Sequence, residues 1–222
     1  MNRLLMVTAV DAEADAVRAG WTAAGVTVAA VGVGPAAAAA GTARLLAYAE
    51  AEGQPYTAVI SAGIGGGFPG RAPVGATVVA TASVAADLGA ESPTGFLPLD
   101  ELGFGATVAT ADPTLVAWLR AALPQALTGA VLTVSTVTGT AERARHLADR
   151  HQDALAEAME GYGVACAAAG AGVPFAELRT ISNPVGPRDR AAWRIGDALA
   201  ALTTAARALS SAGSPAASCP AG

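Results

Sequence analysis

Apolar residues fall into short β-branched runs that stop at glycine or a polar residue, and these alternate with alanine-rich stretches of helical character. The runs LLMVTAV (4–10) and VTVAAVGVG (26–34), followed by PAAAAAGTARLLAYAEAEG (35–53), set the rhythm of strand, strand and helix. Pro35 suits a first helical turn, where its missing N–H would have had no partner, and Gly53 suits the stop. Further strands are predicted over 57–63, 76–85 and 130–136. The run from Glu177 reads as a strand that breaks at the polar pair Ser182 and Asn183, just before Pro184. Helices are predicted over 113–123, 140–151, the segment after Leu155, and 190–209. Such alternation predicts an α/β layered fold. Residues 211–222 lack apolar periodicity, so the chain reads as one domain over 1–210 with a disordered tail.

Composition narrows the function classes. The chain has 222 residues, 53% of them hydrophobic, enough for a sizeable single core. Its net charge is -5 and its basic residues are all arginine, without the clustered positive charge that nucleic acid requires. Glycines, prolines and charges interrupt every apolar run before it reaches membrane-spanning length. The two cysteines, Cys166 and Cys219, form neither a disulfide framework nor a zinc spacing, which fits a reducing cytoplasm.

Four segments carry candidate chemistry. GVGPAA (32–37) matches a dinucleotide fingerprint, but the acid expected about 20 residues on at a strand end is missing and Pro35 removes an N–H, so a tight strand-to-helix turn is favoured over NAD binding. SAGIGGGFPG (61–70), which includes Gly63, reads as a glycine-rich loop at a strand's carboxyl end, where open α/β sheets bind ligands. In AMEGYGVACAAAG (158–170), Glu160 heads an almost uncharged segment; it either sits at a solvated helix start or meets a polar ligand. VDAEADAV (10–17) places Asp11, Glu13 and Asp15 after the first strand, where an anion is unwelcome. His146 and His151 read as surface residues, whereas Arg188, Arg190 and Arg194 follow the Asn183 loop closely enough to serve a site.

In order and spacing, VTAVDAEADAV, GVGPAAAA, SAGIGGG, AMEG and RTISN resemble the nucleoside phosphorylase and nucleosidase superfamily, above all its nucleosidase branch and the members acting on futalosine in menaquinone biosynthesis. The resemblance implies a three-layer α/β fold with a central twisted mixed sheet flanked by helices, no cofactor and no metal. It also implies a small-molecule nucleoside substrate and a homo-oligomer, dimer or larger. Glu13 would position or deprotonate the attacking water, Glu160 would hold the ribose hydroxyls and Met159 would pack against the sugar. Asn183 stands where adenine-releasing relatives have an aspartate. An amide both donates and accepts, so it suits a hypoxanthine-type base. One of Arg188, Arg190 and Arg194, with Arg188 as the first candidate, would pair with the benzoate on the 5′ side of futalosine. Ala158 departs from the glutamate common before the Met-Glu pair. A phosphorylase, an adenine-releasing nucleosidase and a non-catalytic nucleotide-binding protein are the alternatives.

Overall fold

A computed structural model describes residues 3–213 and Pro215. Its strands are β1 (Leu4–Thr8), β2 (Val26–Ala30), β3 (Ala58–Gly67), β4 (Thr77–Ala85), β5 (Gly89–Ser92), β6 (Gly95–Pro98), β7 (Val108–Thr110), β8 (Leu127–Thr133), β9 (Ala154–Ala158) and β10 (Phe175–Pro184). The helices are α1 (Asp11–Gly20), α2 (Pro35–Ala51), α3 (Pro113–Ala122), α4 (Ala141–Arg150), α5 (Gly161–Gly170) and α6 (Ile195–Ser211), with a 3-10 turn at Arg190–Ala192. No helix among the described residues is long and apolar enough to cross a membrane.

The period-two side-chain alternation of a strand explains the layers. Leu4 and Met6 of β1 pack with Val17, Leu115, Leu119 and Leu202, which places α1, α3 and α6 on one face. Leu5 and Val7 pack instead with Leu46 and Val164, so α2 and α5 cover the other. Between them lies the mixed sheet expected of a three-layer fold, in which β1 pairs in parallel with β2 and β3, while β10 is parallel to β3 and antiparallel to β4. The β8 strand is parallel to both β4 and β9, and β9 returns antiparallel to β3. These pairings close a ring through β3, β10, β4, β8 and β9, with small apolar residues such as Ala80, Ala156 and Ala158 packed together with Ile181.

Three local expectations are corrected, and three short strands are added. The glycine-rich segment from Ser61 to Gly67 is strand rather than loop, because β10 and β9 pair along it. Residues 154–158 form β9, although alanine and glutamate favour helix; two neighbouring strands override that preference, and the helix starts at Gly161. The β5–β6 hairpin and β7 were not foreseen, their residues lacking a long β-branched run. After the short 3-10 turn the chain is extended at Trp193, so the last helix begins at Ile195 rather than at 190. Of the tail, Ser211 closes α6, while residues 214 and 216–222 lie outside the described residues.

Candidate active site

A cavity of about 550 Å³ opens at the carboxyl ends of β1, β3 and β10, where parallel α/β sheets place ligands. At one end Glu13 and Glu160 line the wall, backed by the fully buried Arg179 and Glu177. Glu13, in the first turn of α1, is 4% exposed. Its Oε2 accepts from the N–H groups of Ala9 (2.9 Å) and Val10 (3.3 Å), and its Oε1 from Ile64 N–H (2.9 Å). Asp11 and Asp15 are exposed, Asp15 pairing with Arg18, so the acidic cluster resolves into one buried group and two surface ones.

Glu160, buried at the start of α5, accepts from Gly34 N–H at 3.3 Å and lies 3.3 Å from Arg179 Nη1. It is therefore no solvated cap. Gly34 belongs to the GVGPAA turn, so a pyrophosphate at that helix start would face the Glu160 carboxylate. The Arg179 side chain has no exposure; its Nε donates to Glu177 Oε1 at 2.8 Å and its Nη2 to Ser61 Oγ at 2.8 Å. Burial alone would lower the guanidinium pKa, but the carboxylates of Glu177, Glu160 and Glu13 outweigh it and push it up. For Glu177, burial raises the carboxyl pKa, with Glu160 adding to the rise and Arg179 and Ser83 opposing it. Gly63 makes this cluster possible. A methyl group on it would lie 2.6 Å from Glu13 Oε1 and 2.7 Å from Arg179 Nη1.

The other end is built from a row across three strands. Asn183 of β10 is in register with Gly66 of β3, and Gly66 with Glu157 of β9. The register of β10 shifts between Ile181 and Asn183, and this irregularity brings the consecutive side chains of Ser182 and Asn183 to one cavity. Ser182 Oγ donates to Asn183 Oδ1 (2.8 Å), and Asn183 Nδ2 donates to Pro184 O (3.0 Å). One N–H and one lone pair of the amide stay uncommitted.

Glu157, 5% exposed, is a site residue that sequence reasoning missed. Its Oε1 accepts from Thr138 N–H (2.8 Å) and its Oε2 from the Thr138 hydroxyl (2.5 Å). Burial raises its pKa, against the opposing pull of those two hydrogen bonds. The signal was present as a lone acid in an apolar run, the same argument that singled out Glu160.

Met159 is half-buried and lines the cavity, as do Arg190 and Trp193. Arg188 does not line it. It is exposed, with its guanidinium 5.2 Å from the Trp193 ring centroid, while that of Arg190 is 5.9 Å away. Arg194 pairs with Asp197. Arg71 donates to the backbone oxygens of Ala148, His151 and Ala154, and Arg44 is exposed on α2, so neither lines the cavity. His146 is exposed, and burial lowers the pKa of half-buried His151, with Arg150 adding to the effect.

The family model described as the phosphorylase superfamily matches residues 10–214. A futalosine hydrolase of Streptomyces coelicolor is 56% identical over 218 residues, covering 91% of this chain and 92% of that protein. Among solved structures, the methylthioadenosine/adenosylhomocysteine nucleosidase of Colwellia psychrerythraea in complex with adenine superposes with a TM-score of 0.79 at 21% identity, over 95% of each chain. The futalosine hydrolase of Helicobacter pylori gives 0.78 at 17% identity, over 94% of this chain and 97% of that one. These two structural likenesses speak to the fold.

Proposed function

The chain belongs to the phosphorylase superfamily, and we propose that it hydrolyses the N-glycosidic bond of futalosine, releasing hypoxanthine, in menaquinone biosynthesis. One observation carries the reading: a single cavity holds Glu13 and Glu160 at one end and an amide, Asn183, at the other. The likeness to the Streptomyces coelicolor protein over nearly the whole chain supports the substrate.

In this reaction a water oxygen bonds to C1′ of the sugar as the C1′–N9 bond breaks, and the bonding pair leaves with the base. Glu13 orients that water and takes its proton, its carboxylate held still by three backbone N–H groups. Glu160 accepts from the ribose hydroxyls, and the paired carboxylates stabilise the oxocarbenium-like sugar. Met159 packs against the sugar. Asn183 donates to N7 or O6 of the departing hypoxanthine, stabilising the charge it gains without acting as an acid. Arg190, at the cavity wall beside Trp193, is a better partner for the 5′ benzoate than Arg188.

Water is the nucleophile because phosphate would meet net negative charge. The cation at the Glu13 end is Arg179, whose charge is offset by Glu13, Glu160 and Glu177. The protein works in the cytoplasm as a homo-oligomer. Titration of Glu13→Gln with futalosine tests the reading. Futalosine binds while turnover falls roughly 10²- to 10⁴-fold. Failure of futalosine to bind would overturn the substrate, and undiminished turnover would overturn the role of Glu13.

A further inference from the structure

We propose that Glu157 reads the N1–H edge of the leaving base and, together with Asn183, makes the site select a 6-oxopurine over a 6-aminopurine. The inference rests on the nucleosidase reading and deepens it by fixing the class of base.

The geometry comes from the register. Asn183, Gly66 and Glu157 stand side by side on three neighbouring strands, so the two polar residues are two inter-strand spacings apart, on the order of 10 Å between their backbones. Gly66 has no side chain to fill the gap. A methyl group there would stand 3.0 Å from Val185 Cγ2 and 3.3 Å from Asn183 Nδ2, so the glycine leaves a slot that Asn183 already borders. Directly opposed residues of an antiparallel pair share a face, which puts Glu157 on the slot's other side. Ile64, whose N–H donates to Glu13 Oε1, is two residues back along β3 on the same face as Gly66, on the order of 7 Å away. A nucleoside spans that distance with its sugar at the Ile64 end and its base over Gly66.

The chemistry then discriminates. Along one edge of a 6-oxopurine run N7 and O6, both acceptors, and then N1–H, a donor. A 6-aminopurine presents a donor at position 6 and a bare acceptor at N1. Each Glu157 oxygen accepts one hydrogen bond from Thr138 and keeps a second lone pair, so the carboxylate can accept N1–H. Facing a bare N1, it would oppose lone pair to lone pair in a buried site. The two donors of Thr138 pull toward the ionised, accepting form, against burial, which raises the Glu157 pKa on balance. Asn183, oriented by Ser182 and the Pro184 carbonyl, meets the N7 and O6 part of that edge. Glu157 decides the N1 part, because both of its oxygens are acceptors.

A purely structural Glu157 would serve as a strut for the loop at Thr138, and Glu157→Gln separates the two roles. Gln keeps the volume and both links to Thr138, whose hydroxyl can accept as well as donate, but it presents an N–H toward N1. The measured quantity is the ratio of kcat/KM for futalosine to that for its 6-amino analogue. We expect the ratio to fall roughly 10- to 100-fold, the scale of a hydrogen bond to a charged group. Parallel losses on both substrates, with the ratio unchanged, would overturn the proposal. Titration with the free bases keeps it distinct from the reading beneath it. Even if wild type cleaves neither nucleoside, it should bind hypoxanthine in preference to adenine and lose that preference in Glu157→Gln; equal affinity for the two bases in wild type would refute the inference. Should the variant not fold, wild type binding hypoxanthine no tighter than 1-deazahypoxanthine, in which C–H replaces N1–H, would refute it equally.

Discussion

Single atoms decide what this cavity can do. Gly63 has the wall of a carboxylate on one side and a guanidinium on the other, both closer than any Cβ tolerates. Gly63→Ala should therefore displace Glu13 or Arg179, lowering stability by about 1–3 kcal/mol, as overpacking does, and lowering turnover with it. Thermal unfolding and steady-state kinetics measure the two effects. Asn183 is the second decisive residue. Asn183→Asp removes the amide N–H and places an acceptor against O6, so preference should move from hypoxanthine-bearing toward adenine-bearing nucleosides; an unchanged preference would count against its role. Both residues were legible in the sequence, one as part of a glycine run too dense for a plain turn and the other as a polar residue at the end of an apolar strand. Ser182, which orients Asn183, was visible as its neighbour, but the register shift that aims both side chains into one cavity has no sequence signature.

Among the elements, β10 does the most to assemble the site. It delivers Glu177, Arg179, Ser182 and Asn183, and it is buried along its length except at Pro184. Arg179 couples that strand to the starts of α1 and α5 through the carboxylates it faces. Arg179→Met should thus cost roughly 3–5 kcal/mol, because it leaves buried acids without their cation. Urea unfolding would show the loss, and a variant as stable as wild type would mean that those acids do not depend on the guanidinium. The elements that escaped sequence reading share a cause. Strand β9 and the glycine half of β3 exist because neighbours pair with them, not because their residues favour extended chain. Long-range pairing is invisible to local pattern, whereas α2, with Pro35 at its start, and α3, with Asp112 accepting from Thr114 and Leu115 N–H, carry their own boundary signals.

For the whole molecule, buried carboxyls link stability to pH. Burial raises the pKa of Glu157 and Glu177, so over the interval from the ordinary carboxyl pKa up to the raised one the folded chain binds more protons than the unfolded chain. Their contribution is then greatest at low pH and is lost as pH rises through the folded pKa. Glu157→Gln removes one such group, so its melting temperature relative to wild type should be higher at about pH 8 than at about pH 5. A difference of the opposite sign would show that the Thr138 hydrogen bonds prevail over burial. Other carboxyls define the reaction: Glu13 and Glu160 line one cavity end and, with Glu177 behind them, offset the charge of Arg179, so that end admits water more readily than a phosphate dianion. The most direct measurement is chromatography of the base released from futalosine and from its 6-amino analogue, each with and without phosphate. Futalosine should yield hypoxanthine at a rate indifferent to phosphate, and the analogue little adenine. Release that requires phosphate, or adenine released in preference to hypoxanthine, would overturn the assignment of a 6-oxopurine nucleoside hydrolase.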